Sequence, residues 1–193
     1  MMDNAHPMTL FKQWFEAEKR QSKVDIPTAV CMSTMGTDGF PNARFVSLKE
    51  IIDDKLIVTG PLTSRKGIEI KSIPKVALTF WWTATKRQVR IQGLAEKITD
   101  SEADRYFEER NTLAKAVASI SRQGQVASDL FDLQQQTIVQ SDSQKSIQRP
   151  DHWGGYAIRP VRVELMQFKE SRFHQRHHYE FRDGQWHKQV LQP

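Results

Sequence analysis

At 193 residues, 38% of them hydrophobic and 26% charged, the chain has the size and balance of one soluble globular domain spanning 1–193, with no apolar run long enough to cross a bilayer. The net charge of +5 does not point to a nucleic-acid partner, because lysines and arginines interleave with acids (Lys49, Glu50, Asp53, Asp54, Lys55) and form neither a basic block nor a zinc-finger spacing. The start of the chain lacks the pattern of a secretory signal, and the single cysteine, Cys31, excludes an internal disulfide and fits the reducing cytoplasm; its apolar setting predicts a buried, inert thiol.

Leu10, Phe11, Trp14 and Phe15 recur at helical spacing and predict an amphipathic helix over 9–20 that docks by its apolar face. Strands are predicted over 28–34, 43–51 and 55–59, separated by Gly36-Thr37-Asp38-Gly39 and Asp53-Asp54. A short helix from Ser64 follows, then strands over 75–82 and 88–97 joined by a polar turn. Thr99-Asp100-Ser101-Glu102 has the form of a capping box opening a helix through Arg110. Helices over 113–120 and 126–139 precede a polar stretch, 140–150, expected to be a mobile loop. Strands over 156–168, 172–181 and 185–191 complete the chain, the last two joined by Asp183-Gly184. Strands before helices and again after them predict an α+β fold: an antiparallel β-barrel with peripheral helices.

Two charge patterns call for an anion. In Arg172-Phe173-His174-Gln175-Arg176 the basic residues fall at every second position, so an extended chain would present all three on one face. At Ser64-Arg65-Lys66 a predicted helix cap is followed at once by two cations, the wrong sign for a helix N-terminus unless a phosphate binds there. His177 and His178 beside His174 do not make a metal site, since neighbours on a strand face opposite ways and no Cys or carboxylate cluster completes one. Of the tryptophans, Trp81, Trp82 and Trp153 are expected in core or dimer packing rather than in base stacking.

With these elements in order, the chain resembles the pyridoxine (pyridoxamine) 5′-phosphate oxidases. The likeness rests on Ala43-Arg44-Phe45-Val46-Ser47-Leu48-Lys49, Ser64-Arg65-Lys66, Arg87-Gln88-Val89, Tyr106-Phe107 with Arg110, Trp153-Gly154-Gly155 and Arg172 to Arg176. It implies a dimeric FMN enzyme of the split-barrel fold. By that resemblance Arg44, Arg65 and Lys66 surround the FMN phosphate, and the strand through Val46, Leu48 and Lys49 runs along the flavin. Gln88 and Arg176 contact the flavin, and Gln123 reaches it from the other subunit, which implies a homodimer with FMN at the interface. Lys49, Tyr106 and Arg110 are expected to hold the phosphate of the substrate, with Tyr106 and Arg110 four apart on one helix face. Arg172 and His174 are expected to close over its ring and position the reacting carbon as the catalytic pair.

The expected reaction is oxidation of pyridoxamine or pyridoxine 5′-phosphate to pyridoxal 5′-phosphate, with molecular oxygen as electron acceptor. The alternatives are an FMN oxidase of the phenazine-biosynthesis type and a flavin-binding split barrel without turnover. Departures from the family pattern bear on the substrate. Met166 stands where a flavin-contacting tryptophan is usual, Ala114 and Gly124 replace serines, Thr59-Gly60 replaces a Tyr-Thr pair, and the segment before the first helix is expected to be too short for the N-terminal cover of some bacterial members.

Overall fold

The computed structural model of the chain describes residues 6–143 and 146–193. Helix α1 (Pro7–Gln21) leads into strands β1 (Ala29–Met35), β2 (Pro41–Ile52) and β3 (Lys55–Pro61). Helix α2 (Arg65–Ser72) is followed by β4 (Lys75–Trp82) and β5 (Arg87–Lys97), then by α3 (Asp100–Glu108), α4 (Thr112–Ile120) and α5 (Leu130–Asp142). Strands β6 (Trp153–Gln167), β7 (Gln175–Arg182) and β8 (Gln185–Leu191) end the fold.

The strands form an antiparallel sheet in the order β3-β2-β1-β4-β5-β6-β7-β8, and an added β3–β6 pairing closes the first six into a barrel. Closure depends on the length of β6. Its first half pairs with β3 from Trp153 to Ile158, while its second half carries β7 from Arg162 to Gln167. Alternation along the strands fills the barrel: Val30, Met32, Leu78, Phe80, Val89, Ile91, Val163 and Leu165 all point inward and are buried.

Helix α1 closes one end. Phe11 and Phe15 stack at 5.8 Å and pack on Phe80 and Trp82; burying each such ring is worth about 2–3 kcal/mol. The same helix carries Glu18, 3% exposed, whose carboxylate accepts the backbone N–H groups of Ala84 and Thr85 at 3.3 and 2.9 Å. The β4–β5 turn is thereby tied to the plug. A second cluster packs α3 against β6 through Phe107 and Trp153, 5.1 Å apart. Gly67 lets α2 lie on the preceding turn, since a Cβ there would meet the Leu62 carbonyl oxygen at 2.0 Å.

The barrel and the capping box of α3 follow the sequence expectation. Trp82 and Trp153 are core residues, whereas Trp81 is exposed and Cys31 is only half-buried on the outer face of β1. Four local expectations need correction. Strand β7 begins at Gln175, because Arg172 takes a left-handed φ of +67° and its backbone closes a turn with Lys169. A left-handed residue breaks the two-residue alternation, so Arg172, His174 and Arg176 do not share a strand face. Helix α3 stops at Glu108, leaving Arg110 in the turn beyond it, and α5 starts at Leu130, four residues later than the pattern predicts. The polar stretch 140–150 is anchored where it is described: Ile147 is buried, and Arg149 donates to Asp104 and to the Trp153 carbonyl. Residues 144 and 145 of that stretch lie outside the described residues.

Candidate active site

A β-bulge starts the site. In the β2–β3 ladder Leu48 pairs with Val58 and Glu50 with Ile57, so Lys49 is the extra residue. The bulge turns Lys49 out of the ladder and into a cleft of about 610 Å³ between β2, β3, the start of α2 and the end of α4. Lys49, Lys66 and Arg110 all line this cleft, with Val46, Ser47, Gly60, Gln123 and Trp153, and among the described residues no carboxylate does. Leu48 is buried in the barrel and does not line the cleft. Arg110 sits with its guanidinium 5.2 Å from the Trp153 ring, donates to the Ala114 carbonyl, and keeps a buried Nε without a partner. Glu109 Oε2 stands 4.0 Å from Lys49 Nζ at the edge of the cleft; three lining cations, one bearing an orphaned buried donor, are complementary to a ligand with anionic oxygens.

Arg44 and Arg65 flank Lys66 but are already engaged. Both donate to Glu69, 2% exposed, at 3.1 and 2.9 Å. Thr34 and Asn42 donate to the same carboxylate, and Arg65 also reaches Asp38 at 3.1 Å. Burial opposes the charge on Glu69, yet the donors from Thr34, Arg65 and Arg44 outweigh it and hold the carboxyl below its ordinary range. Part of the charge conflict seen at the start of α2 is therefore met by the helix itself, through an i,i+4 pair that the sequence displays at Arg65 and Glu69. Ser64 occupies the cap position without capping; its hydroxyl donates to the Pro61 carbonyl and accepts from Lys66 Nζ.

Of Arg44, Arg65 and Lys66, only Lys66 lines the cleft. Its ammonium donates to Gln123 Oε1 at 2.9 Å, and burial together with the charge of Arg44 brings its pKa down to about 8. Gly60 leaves room beside it, since a Cβ there would come within 3.3 Å of Nζ. Gln123 therefore engages Lys66 of its own chain.

The remaining expected residues lie elsewhere. Gln88, Met166 and Arg176 form one row across β5, β6 and β7, with Arg176 held by Glu164 at 2.8 Å and by the Gln192 carbonyl at 3.0 Å. Arg172 and His174 line a second cleft of about 680 Å³ with Lys86 and Phe168. An aromatic ladder of Trp81, Phe168 and His174, each step 5.0 Å, supports the imidazole. Its Nδ1 accepts the Lys169 N–H at 3.1 Å, so the neutral ring carries its proton on Nε2.

Tyr106 departs most from expectation. Its ring is buried, and its hydroxyl donates to Glu50 at 2.7 Å, where Arg105 also donates at 3.0 Å. Because α3 ends before Arg110, Tyr106 and Arg110 do not act as a helix-face pair: Arg110 lines the cleft and Tyr106 does not. Burial and then the bond to Glu50 push the phenol up to about 12. The Tyr106 and Arg105 donors lower the Glu50 carboxyl in turn. Glu50, Glu69 and Glu164 escaped the sequence reading; only Glu69 left a signal, its helical spacing from Arg65.

A closed antiparallel barrel with a cationic cleft on its outer wall defines the class as the FMN-binding split barrel. The comparisons are specific. The family model described as pyridoxamine 5′-phosphate oxidase matches residues 17–140, and that of the pyridoxine 5′-phosphate oxidase C-terminal dimerisation region matches 153–193. A pyridoxine/pyridoxamine 5′-phosphate oxidase of Actinobacillus pleuropneumoniae serotype 3 is 39% identical over 191 residues, covering 98% of this chain and 90% of that protein. One from Acaryochloris marina is 38% identical over 192 residues, covering 98% and 87%. Among solved structures, PhzG from Burkholderia lata 383 in complex with tetrahydrophenazine-1-carboxylic acid superposes with a TM-score of 0.95 at 27% identity, covering 100% of this chain and 95% of that one. A pyridoxamine 5′-phosphate oxidase-related, FMN binding protein from Nostoc punctiforme shares the fold with a TM-score of 0.81 at 15% identity over the full length of both chains. The chain belongs to the pyridoxamine 5′-phosphate oxidase family of FMN-dependent oxidases.

Proposed function

We propose that this chain oxidises pyridoxamine or pyridoxine 5′-phosphate to pyridoxal 5′-phosphate with molecular oxygen as the electron acceptor. The observation that carries the reading is the cleft lined by Lys49, Lys66 and Arg110, which has charge for phosphate groups on both a cofactor and a substrate. Lys66, backed by Arg44 and Arg65, would hold the FMN phosphate; Gln123 would fix the Lys66 ammonium, and the backbone through Val46 and Leu48 would border the ring. The chemistry that FMN supplies when bound is acceptance of hydride from the substrate carbon and reoxidation by oxygen to give peroxide.

Lys49 and Arg110 would bind the substrate phosphate, with Tyr106 close behind. Arg172 and His174 would orient the ring, His174 offering an Nε2–H donor because Nδ1 is engaged by Lys169. Arg172 and His174, with Gln88 and Arg176, stand apart from the Lys66 cleft within one chain. A homodimer, supported by the dimerisation-region match at 153–193, would let one subunit's cleft meet the partner subunit's β6–β7 side.

A second reading, oxidation of a reduced phenazine acid, draws on the 0.95 superposition with PhzG and on the engagement of Tyr106 by Glu50. An anaerobic visible spectrum of the FMN-loaded protein separates the two. Bleaching by pyridoxine 5′-phosphate, with colour restored by air, is expected. A spectrum that responds only to a dihydrophenazine acid would replace the first reading by the second.

A further inference from the structure

Glu50 lies next to the bulged Lys49 and takes the Tyr106 hydroxyl at 2.7 Å. Arg105 closes over the pair, donating to the same Glu50 oxygen at 3.0 Å with its guanidinium 4.2 Å from the Tyr106 ring. The phenol, on a buried ring, therefore has an acceptor that belongs to the protein: a carboxylate 41% exposed and one residue along from the cleft cation Lys49. A hydroxyl gains most from an acceptor that carries charge. With Glu50 present that acceptor is its carboxylate; without it, the hydroxyl is free to turn toward an anion held by Lys49 and Arg110.

We propose that Glu50 is a specificity-determining residue: it withholds the Tyr106 hydroxyl from the anion subsite, so that a phosphate there is held by Lys49 and Arg110 alone. The inference rests on the reading of that cleft as a substrate phosphate site. It implies an enzyme that discriminates less between phosphorylated and unphosphorylated forms of its substrate than the full set of donors would allow. Glu50 acts here through Tyr106, by positioning, without touching the substrate.

The test is calorimetric titration of the FMN-loaded protein with pyridoxal 5′-phosphate and with unphosphorylated pyridoxal. Four proteins are compared: wild type, Glu50→Ala, Tyr106→Phe and the double variant. Removing Glu50 is expected to tighten binding of the phosphorylated ligand about tenfold, the scale of one hydrogen bond to a charged group, and to leave pyridoxal unchanged. Tyr106→Phe should have no effect alone and should abolish the gain in the double variant. Glu50→Gln serves as a milder change, read by the highest tyrosine titration, which should fall from about 12. A Tyr106→Phe variant that by itself weakens the phosphorylated ligand tenfold, or a Glu50→Ala variant with no gain, would overturn the inference. Failure of the substrate reading looks different: wild type and Lys49→Ala would each bind the two ligands equally. Even then, a phosphate preference that appears in Glu50→Ala and vanishes in the double variant would support the role of Glu50, and its absence would end it.

Discussion

Replacing Glu69 by glutamine should destabilise the cofactor-free protein in a pH-dependent way. Glu69 is 2% exposed and accepts from Arg44, Arg65, Thr34 and Asn42, so Glu69→Gln keeps the volume while removing the charge between two guanidiniums. Breaking a fully buried pair costs about 3–5 kcal/mol. The Arg65 side chain is 61% exposed and the Arg44 side chain 23%, so solvent screens much of the first and little of the second, and about 2 kcal/mol is expected here. For a chain of this size that corresponds to roughly 4–8 °C in Tm. The sign with pH follows from linkage. The folded pKa of Glu69 lies below its ordinary value, so its contribution is complete above the unfolded carboxyl's pKa and is lost as pH falls through the folded one. Urea denaturation of wild type and Glu69→Gln across the acid range measures this. Equal midpoints at neutral pH, or a gap that does not narrow as the solution is acidified, would refute the reasoning.

Three further outcomes are expected. Lys66 titrates at about 8 in the free protein; between that value and its ordinary range the unfolded chain binds the extra proton, so stability rises with pH there. FMN binding should accordingly take up a proton above pH 8, read by calorimetry in buffers of different ionisation enthalpy, and Lys66→Gln should abolish the uptake and weaken binding at least tenfold. Arg172→Ala should lose most turnover while retaining FMN, measured by steady-state assay and bound-flavin absorbance; unchanged turnover would remove Arg172 from the mechanism. Glu18→Ala should cost about 2 kcal/mol or more, because the Ala84 and Thr85 amides lose their acceptor, and a thermal melt that matches wild type would dismiss the tie between α1 and the β4–β5 turn.

The predicted elements were legible because each rests on local chemistry. The apolar stripe of α1, the Thr99–Glu102 capping box and the alternation in β4 and β5 are properties of a few neighbouring residues. Errors came where a single backbone torsion or helix end decides the outcome. Positive φ at Arg172 removes it from β7, and the early end of α3 separates Tyr106 from Arg110. Neither leaves a mark on hydrophobic periodicity.

From the sequence alone came the barrel-with-helices class, the family resemblance and the identity of the basic residues around the cleft. Only the tertiary structure decided which of those residues are available to a ligand. Glu69 engages Arg44 and Arg65 from 25 residues and 4 residues away, and Glu50 engages Tyr106 from 56 residues away. A carboxylate far along the chain pairs with a given cation only after the sheet has brought them into contact, and no local pattern records that.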